Sequence, residues 1–250
     1  KYRLSKITMQ NTHYEFLYGT ELGHWWYKTH RKMVYNLIKH YRLNFGKDIK
    51  ILDAGCGTGM LLKELETLGI CYGIDISHKA VDFCRKRGID NVQVADIANI
   101  PYPDNTFDAV IALDVIEHIK NDGEALREIY RVLKPQGVAI ITVPAFMFLW
   151  GVTDAVSHHY RRYVLSELQS KIKSSHFSII RSSYFNTFLF PFIAFVRLAV
   201  RWLNIPMESE NSEGKGIINS VLFLIFYVES VLFRYINFPF GVSAIVICKK

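Results

Sequence analysis

Hydrophobic and polar positions follow two rhythms along this chain. Between Leu22 and Tyr41, Trp25, Met33, Leu37 and Tyr41 recur at helical spacing, which predicts a helix packed on the main body. From Ile49 the pattern becomes short apolar runs separated by amphipathic stretches. The runs "IKILDA", "CYGIDI", "NVQVAD", "FDAVIALDV" and "GVAIITVP" predict successive strands. Helices are predicted over Thr58 to Leu68, from a capping Ser77 to Arg87, and from Asp122 to Leu133, closed by Pro135. This alternation argues for a parallel sheet with helices on both faces and right-handed crossovers.

After Pro144 the rhythm loosens. "HHYRRYVLSELQSKIKSSHF" predicts a polar loop and then a helix led by Ser166, "FSIIRSSYF" a sixth strand and "GVSAIVICKK" a terminal one. Between those strands, Asn186 to Phe240 holds two very apolar stretches joined by the polar linker "PMESENSEGKG". The expected organisation is an N-terminal helical cap over 1–45, a core formed by 46–185 with 241–250, and an apolar helical insertion over 186–240. A chain of 250 residues, half of them hydrophobic, fits one elaborated domain.

The insertion leaves three readings open. "IINSVLFLIFYVESVLFRYI" is near the length of a membrane span, but Glu229 and Arg234 interrupt it and the last strand must return to the sheet. A hairpin of two spans would bring Arg197 and Arg201 into the bilayer, which is costly. Helices lying on a membrane surface cost less. A lid over a greasy substrate or a homodimer face costs least.

Charge and cysteines narrow the class. The formal charge is +7, yet the basic residues are dispersed, so the excess reads as a solvated surface and no nucleic-acid partner is expected. Cys56, Cys71, Cys84 and Cys248 show no CxxC spacing, which suits reduced thiols in a cytoplasmic protein. The expected location is cytoplasmic, with peripheral contact to the inner membrane face as an option. No signal-peptide pattern opens the sequence. No metal-ligand set is read, because His158-His159 lacks partners at ligand spacing.

The chemistry concentrates at "ILDAGCGTGM", where a strand runs into Gly55, Gly57 and Gly59. Glycines there let backbone approach a ligand closely. A dinucleotide turn is G-x-G-x-x-G, one residue wider. Asp53, in the strand end, would repel a pyrophosphate and suits a ligand that is cationic there. No Gly-Lys-Ser/Thr follows, which excludes a P-loop.

"ILDAGCGTG" resembles motif I of the class I S-adenosylmethionine-dependent methyltransferases, and the resemblance runs from about Leu22 to Phe185. It implies a Rossmann-like, doubly wound sheet in the order 3-2-1-4-5-7-6, with an antiparallel terminal strand. It implies S-adenosyl-L-methionine as cofactor, held by Asp53, Gly55, Cys56, Gly57 and Gly59. Asp75 in "YGIDIS" matches the acid that holds both ribose hydroxyls. Asp96 in "VADIANIP" matches the position beside the adenine amino group, with Ile97 and Ile76 as apolar walls. In "IALDVIEHI", Leu113 to Val115 match the cofactor-lining strand end, and His118 lies just beyond.

Several roles stay open on residue type alone. Trp25, Trp26 and Tyr27 either close over the cofactor or pack as ordinary aromatics, and Arg31 either pairs with the methionyl carboxylate or is solvated. His118 is the best-placed general base, with His158, His159 and Tyr160 as alternatives, since an imidazole titrates near neutrality. Arg161 and Arg162 offer forks for a phosphate or carboxylate, with Tyr160 and Tyr163 beside them, so this loop is expected to recognise substrate. The expected reaction is methyl transfer to a small or lipid-like acceptor, to oxygen in preference to nitrogen or carbon. The other reading is a membrane-surface binding module without chemistry.

Overall fold

The glycine turn ends a strand that is apolar on both sides, and that two-sided burial sets the architecture. The computed structural model describes residues 14–42, 49–203 and 216–250. Its centre is a seven-stranded sheet of β1 (Lys50–Ala54), β2 (Ile70–Asp75), β3 (Val92–Val94), β4 (Phe107–Leu113), β5 (Leu133–Pro144), β6 (Ser178–Phe185) and β7 (Ser243–Lys249). The order is β3-β2-β1-β4-β5-β7-β6. Strands β1 to β5 pair in parallel, and β7 runs antiparallel to both β5 and β6. Alternate residues feed two separate cores. Leu52, Val110 and Ile141 pack on one face with Leu126 and Leu168, while Ile51, Ile111 and Ile140 pack on the other with Val34 and Leu62.

Helices α1 (Trp25–Arg42), α2 (Met60–Leu65), α3 (His78–Lys86), α4 (Asp122–Val132), α5 (Val152–Val156), α6 (Leu165–Ser174), α7 (Phe190–Trp202) and α8 (Gly216–Leu232) complete the described elements, with a short helix over residues 14–20 and 3-10 turns at Ile116–His118 and Met147–Leu149. Ser77 caps α3 as expected, its hydroxyl accepting from the Ala80 amide. Helix α2 begins later than predicted, because Gly59 precedes it in a left-handed conformation (φ 82°). Helix α6 starts at Leu165, with Val164 and no capping hydroxyl ahead of it. Pro135 does not stop α4; the chain passes from Val132 directly into β5, which contains that proline.

The insertion contributes α7 and α8; its predicted linker, residues 206–216, lies outside the described residues except for Gly216, which opens α8. Helix α8 docks on α1: fully buried Phe226 stacks on Trp26 with ring centroids 5.3 Å apart. The Asn219 carboxamide accepts from the Trp25 amide (2.9 Å) and donates to the Gly23 carbonyl (3.0 Å). Glu229, which interrupts the apolar stretch, is buried and accepts from the Thr187 and Phe188 amides at 2.7 and 2.9 Å. The charge therefore joins α8 to the end of β6. No helix of the described residues is long and apolar enough to cross a membrane, so the hairpin reading lacks its spans. Asn219→Ala should cost about 1 kcal/mol in urea unfolding, and Asn219→Asp, which keeps the acceptor, less.

Candidate active site

Strand β1 delivers the chain to a turn that only glycine can make. At Gly55, with φ 97°, an added Cβ would lie 2.3 Å from a Val115 methyl. The Gly55 and Cys56 amides both donate to the Ile74 carbonyl, at 2.7 and 3.0 Å, tying the turn to the end of β2. One residue on, Asp75 accepts from the Gly57 amide (2.9 Å) and the Ser77 amide (2.9 Å), and its Oδ1 also takes the Tyr14 hydroxyl (3.3 Å). Burial raises its carboxyl above the ordinary value. Asp53 is almost wholly buried, and burial, then the Asp75 charge, pushes it up to about 7. Two carboxyls that resist ionisation flank one glycine turn, and both gain from a cation or a hydroxyl-rich ligand.

The remaining residues of this half divide. Ile76 is exposed, an open apolar surface beside Asp75, and Leu113 is half-buried at the end of β4. Cys56 is buried, its sulfur 3.8 Å from that of Cys84. Ile97 belongs to the core, and exposed Asp96 turns inward to accept from the Ala98 amide (2.9 Å). Arg31 departs from the expected pairing. Its Nε donates to Glu64 (3.0 Å) and its Nη1 to the Glu21 carbonyl (2.6 Å), because α1 packs that face against α2. The segment 14–20 lies over the turn, with Leu17 the atom nearest to Gly57.

Beyond the carboxyl ends of β4 and β5 opens a cavity of about 1240 Å³. Trp26 and Tyr27 of α1 border it, Ile193, Val196 and Val200 of α7 roof it, and Asp114, Glu117, His118 and His159 form a polar floor. The insertion is thus one wall of this cavity. The rings of His118 and His159 meet edge to face, centroids 4.5 Å apart. His159 Nδ1 lies 2.8 Å from Asp154, whose carboxylate also takes the Arg162 fork at 2.8 and 2.9 Å. Burial drives the Asp154 carboxyl up, but the hydrogen bonds from His159 and Arg162 outweigh it and hold the group well below the usual range. Glu117 is fully buried, and neither of its carboxyl oxygens has a hydrogen-bond partner among the described residues. Burial, reinforced by Asp114, pushes its carboxyl well above the usual range.

The "HHYRRY" loop is mostly a clamp, not the anion receptor its composition suggests. Arg162 is buried and fully engaged, adding a bond to the Ala145 carbonyl (3.1 Å). Arg161 donates to Asp122 (3.1 Å) and to the Lys120 carbonyl (2.6 Å), and buried Tyr163 donates its hydroxyl to Asp122 (2.8 Å). Exposed His158 turns the chain at φ 56°, and exposed Tyr160 is not among the residues that line the cavity. His159 and Arg162 are the loop residues that border the cavity. Two carboxylates, Asp122 and Asp154, determine this, and neither lies in the motif. The residue pattern also gives no signal for Glu117, or for cavity-lining Asn186, buried at φ 57° with an Oδ1 that has no hydrogen-bond partner among the described residues.

Comparison with known proteins bears on the glycine half most directly. Residues 52–141 match a family model described as a methyltransferase domain. A tRNA (carboxymethyluridine(34)-5-O)-methyltransferase of Arabidopsis thaliana is 41% identical over 96 residues, 37% of this chain and 23% of that protein. A demethylmenaquinone methyltransferase of Symbiobacterium thermophilum is 32% identical over 123 residues, 45% of this chain and 47% of its own. The chain spans less than half the length of these curated relatives. Among solved structures, an S-adenosylmethionine-dependent methyltransferase of Thermotoga maritima superposes with a TM-score of 0.57 at 19% identity, covering 96% of this chain and 95% of that one. The matched segment runs from β1 through β5, the glycine turn and both acidic strand ends included, and the sheet order is the one this group of folds shares. Residues 52–141 therefore match a methyltransferase domain, set in a sheet of the order that class I S-adenosylmethionine-dependent methyltransferases share.

Proposed function

We propose that the protein transfers the methyl group of S-adenosylmethionine to an oxygen of a small amphiphilic acceptor. The observation that carries this reading is the glycine turn, with Asp53 and Asp75, at the same carboxyl edge of the sheet as a cavity bordered by Asp114, Glu117, His118 and His159. Bound there, the cofactor supplies an already activated methyl on a positively charged sulfur. Asp75 would hold the ribose hydroxyls, since one carboxylate can accept two hydrogen bonds. Asp53 would face the cationic end, and exposed Ile76 would cover the adenine, with Asp96 at its rim. His118 and His159 of the floor are the candidate proton acceptors. The aliphatic row of α7, with Arg197 and Arg201 on the same helix, supports an acceptor with an apolar body and an anionic group. Alignment of the acceptor behind the methyl and exclusion of water would contribute most of the acceleration, about 7–11 kcal/mol for such positioning.

The reading is tested by incubating the protein with S-adenosylmethionine and panels of phenolic, prenyl-like and lipid acceptors, and tRNA, while measuring S-adenosylhomocysteine formed. Turnover with an amphiphilic hydroxyl compound, abolished in Asp75→Ala, is expected; turnover with tRNA alone would replace the acceptor assignment. Tyr14 occupies an Asp75 oxygen that the ribose would take. Tyr14→Phe should therefore tighten cofactor binding about 2- to 10-fold in calorimetry, the value of one net hydrogen bond.

A further inference from the structure

We propose that Glu117, His118 and His159 bind one divalent transition-metal cation at the floor of the cavity. One ligand-capable atom from each lies within 4.8 Å of the others. His159 Nε2 and Glu117 Oε1 are 4.0 Å apart. An ion held at about 2.1 Å by tetrahedral ligands needs about 3.4 Å between them, so small side-chain rotations complete the site.

The position of Glu117 is the first independent reason. It is fully buried, and among the described residues both carboxyl oxygens lack a hydrogen-bond partner. Buried polar groups are nearly always satisfied, and an exception asks for an ion, a water or a role. The nearby Arg162 does not fill that need, because its nitrogens are held by Asp154 and the Ala145 carbonyl.

The tautomer of His159 is the second reason. Ionised Asp154 can only accept, so Nδ1 carries the proton it donates across 2.8 Å. In the neutral ring Nε2 is then the nitrogen left to ligate, 4.0 Å from Glu117 Oε1. That 4.0 Å separation is too long for a direct hydrogen bond and within reach of a bridging metal ion. A carboxylate behind an imidazole, fixing its tautomer and orientation, is also the usual outer support of a metal-bound histidine.

Two imidazoles with one carboxylate suit zinc, manganese, cobalt or iron(II) better than calcium or magnesium. Half-exposed His118 and the open cavity provide the entry path. Coordination positions facing the cavity would remain for an acceptor oxygen; that consequence rests on the proposed methyl transfer, whereas the cation site itself does not.

The test is made with the full chain, stripped with chelator, and with no cofactor or acceptor present. Zn²⁺ calorimetry should give one ion per chain, and Co²⁺ should develop visible absorption bands of a low-coordinate nitrogen–oxygen site. Glu117→Gln and His118→Ala should each weaken Zn²⁺ at least about 10- to 100-fold, and Asp154→Asn by about 10- to 100-fold through His159. His118 is half-exposed, so its variant keeps the fold, which melting without metal checks. Absence of saturable binding to the folded native chain, or binding that Glu117→Gln and His118→Ala both retain, would overturn the proposal. S-adenosylmethionine calorimetry on the same samples separates this outcome from failure of the methyltransferase reading.

Discussion

Asp154→Ala should destabilise the protein by about 3–5 kcal/mol in urea unfolding, because it leaves the guanidinium of Arg162 buried without its counter-charge. Asp154 is fully buried and joins four parts of the chain. It accepts from Arg162, sits against His159 Nδ1, accepts from the Gly151 amide (2.8 Å) and lies 3.8 Å from the Arg197 guanidinium on α7. Its loss strands a charge and unlocks the cavity floor and roof together. Adding Arg162→Met to Asp154→Ala should recover part of the loss, since the stranded charge goes with it. The folded carboxyl is held low by His159 and Arg162, so its contribution is complete above the ordinary carboxyl range and disappears as pH falls through the lowered folded value. Equal unfolding of Asp154→Ala and the native chain would contradict this.

The second large effect is on cofactor binding. Asp53 is pushed from 3.8 to about 7 in the folded chain, so below that pH it is neutral and offers a cationic ligand nothing. A sulfonium bound beside it favours the ionised form. Affinity for S-adenosylmethionine should therefore rise about tenfold per pH unit to pH ~7 and then level, some 100-fold between pH ~5 and ~7. Asp53→Asn should abolish the slope and bind weakly throughout. The same shift acts on the free protein in the opposite sense. The folded state holds this proton more tightly than the unfolded chain, so stability falls as pH rises from 3.8 toward 7 and Asp53→Asn flattens that decline. A pH-independent affinity in the native chain would remove Asp53 from the cofactor's charged end.

Much of the fold was legible in the residues, and most of the acceptor half was not. The strand runs are apolar on both faces because the sheet is covered on both, and that pattern is local. Gly55 was legible because the backbone at that strand end restricts which residue can stand there, and Asp75 through its resemblance to the family's acidic strand end. The roles of Arg161 and Arg162 depend instead on where Asp122 and Asp154 arrive in space, and an arginine facing solvent reads the same as one clamped on a buried carboxylate. Arg31 was obscured in the same way by Glu64. Glu117 stood beside the histidine chosen as a base, but its isolation becomes visible only when β4 and the loop after α5 close around it. The apolar insertion was recognised as foreign to the sheet. The docking of α8 on α1 and on the end of β6 follows from Asn219 and Glu229, polar residues that a reading of hydrophobicity treats as interruptions.

The most direct measurement is calorimetry of the native chain at pH ~8 with S-adenosylmethionine, S-adenosylhomocysteine and NAD⁺ in separate titrations. The account predicts one site for the first two, the cationic sulfonium bound at least as well as its neutral product, and no heat from the dinucleotide. Saturable binding of NAD⁺ with none of S-adenosylmethionine would contradict it.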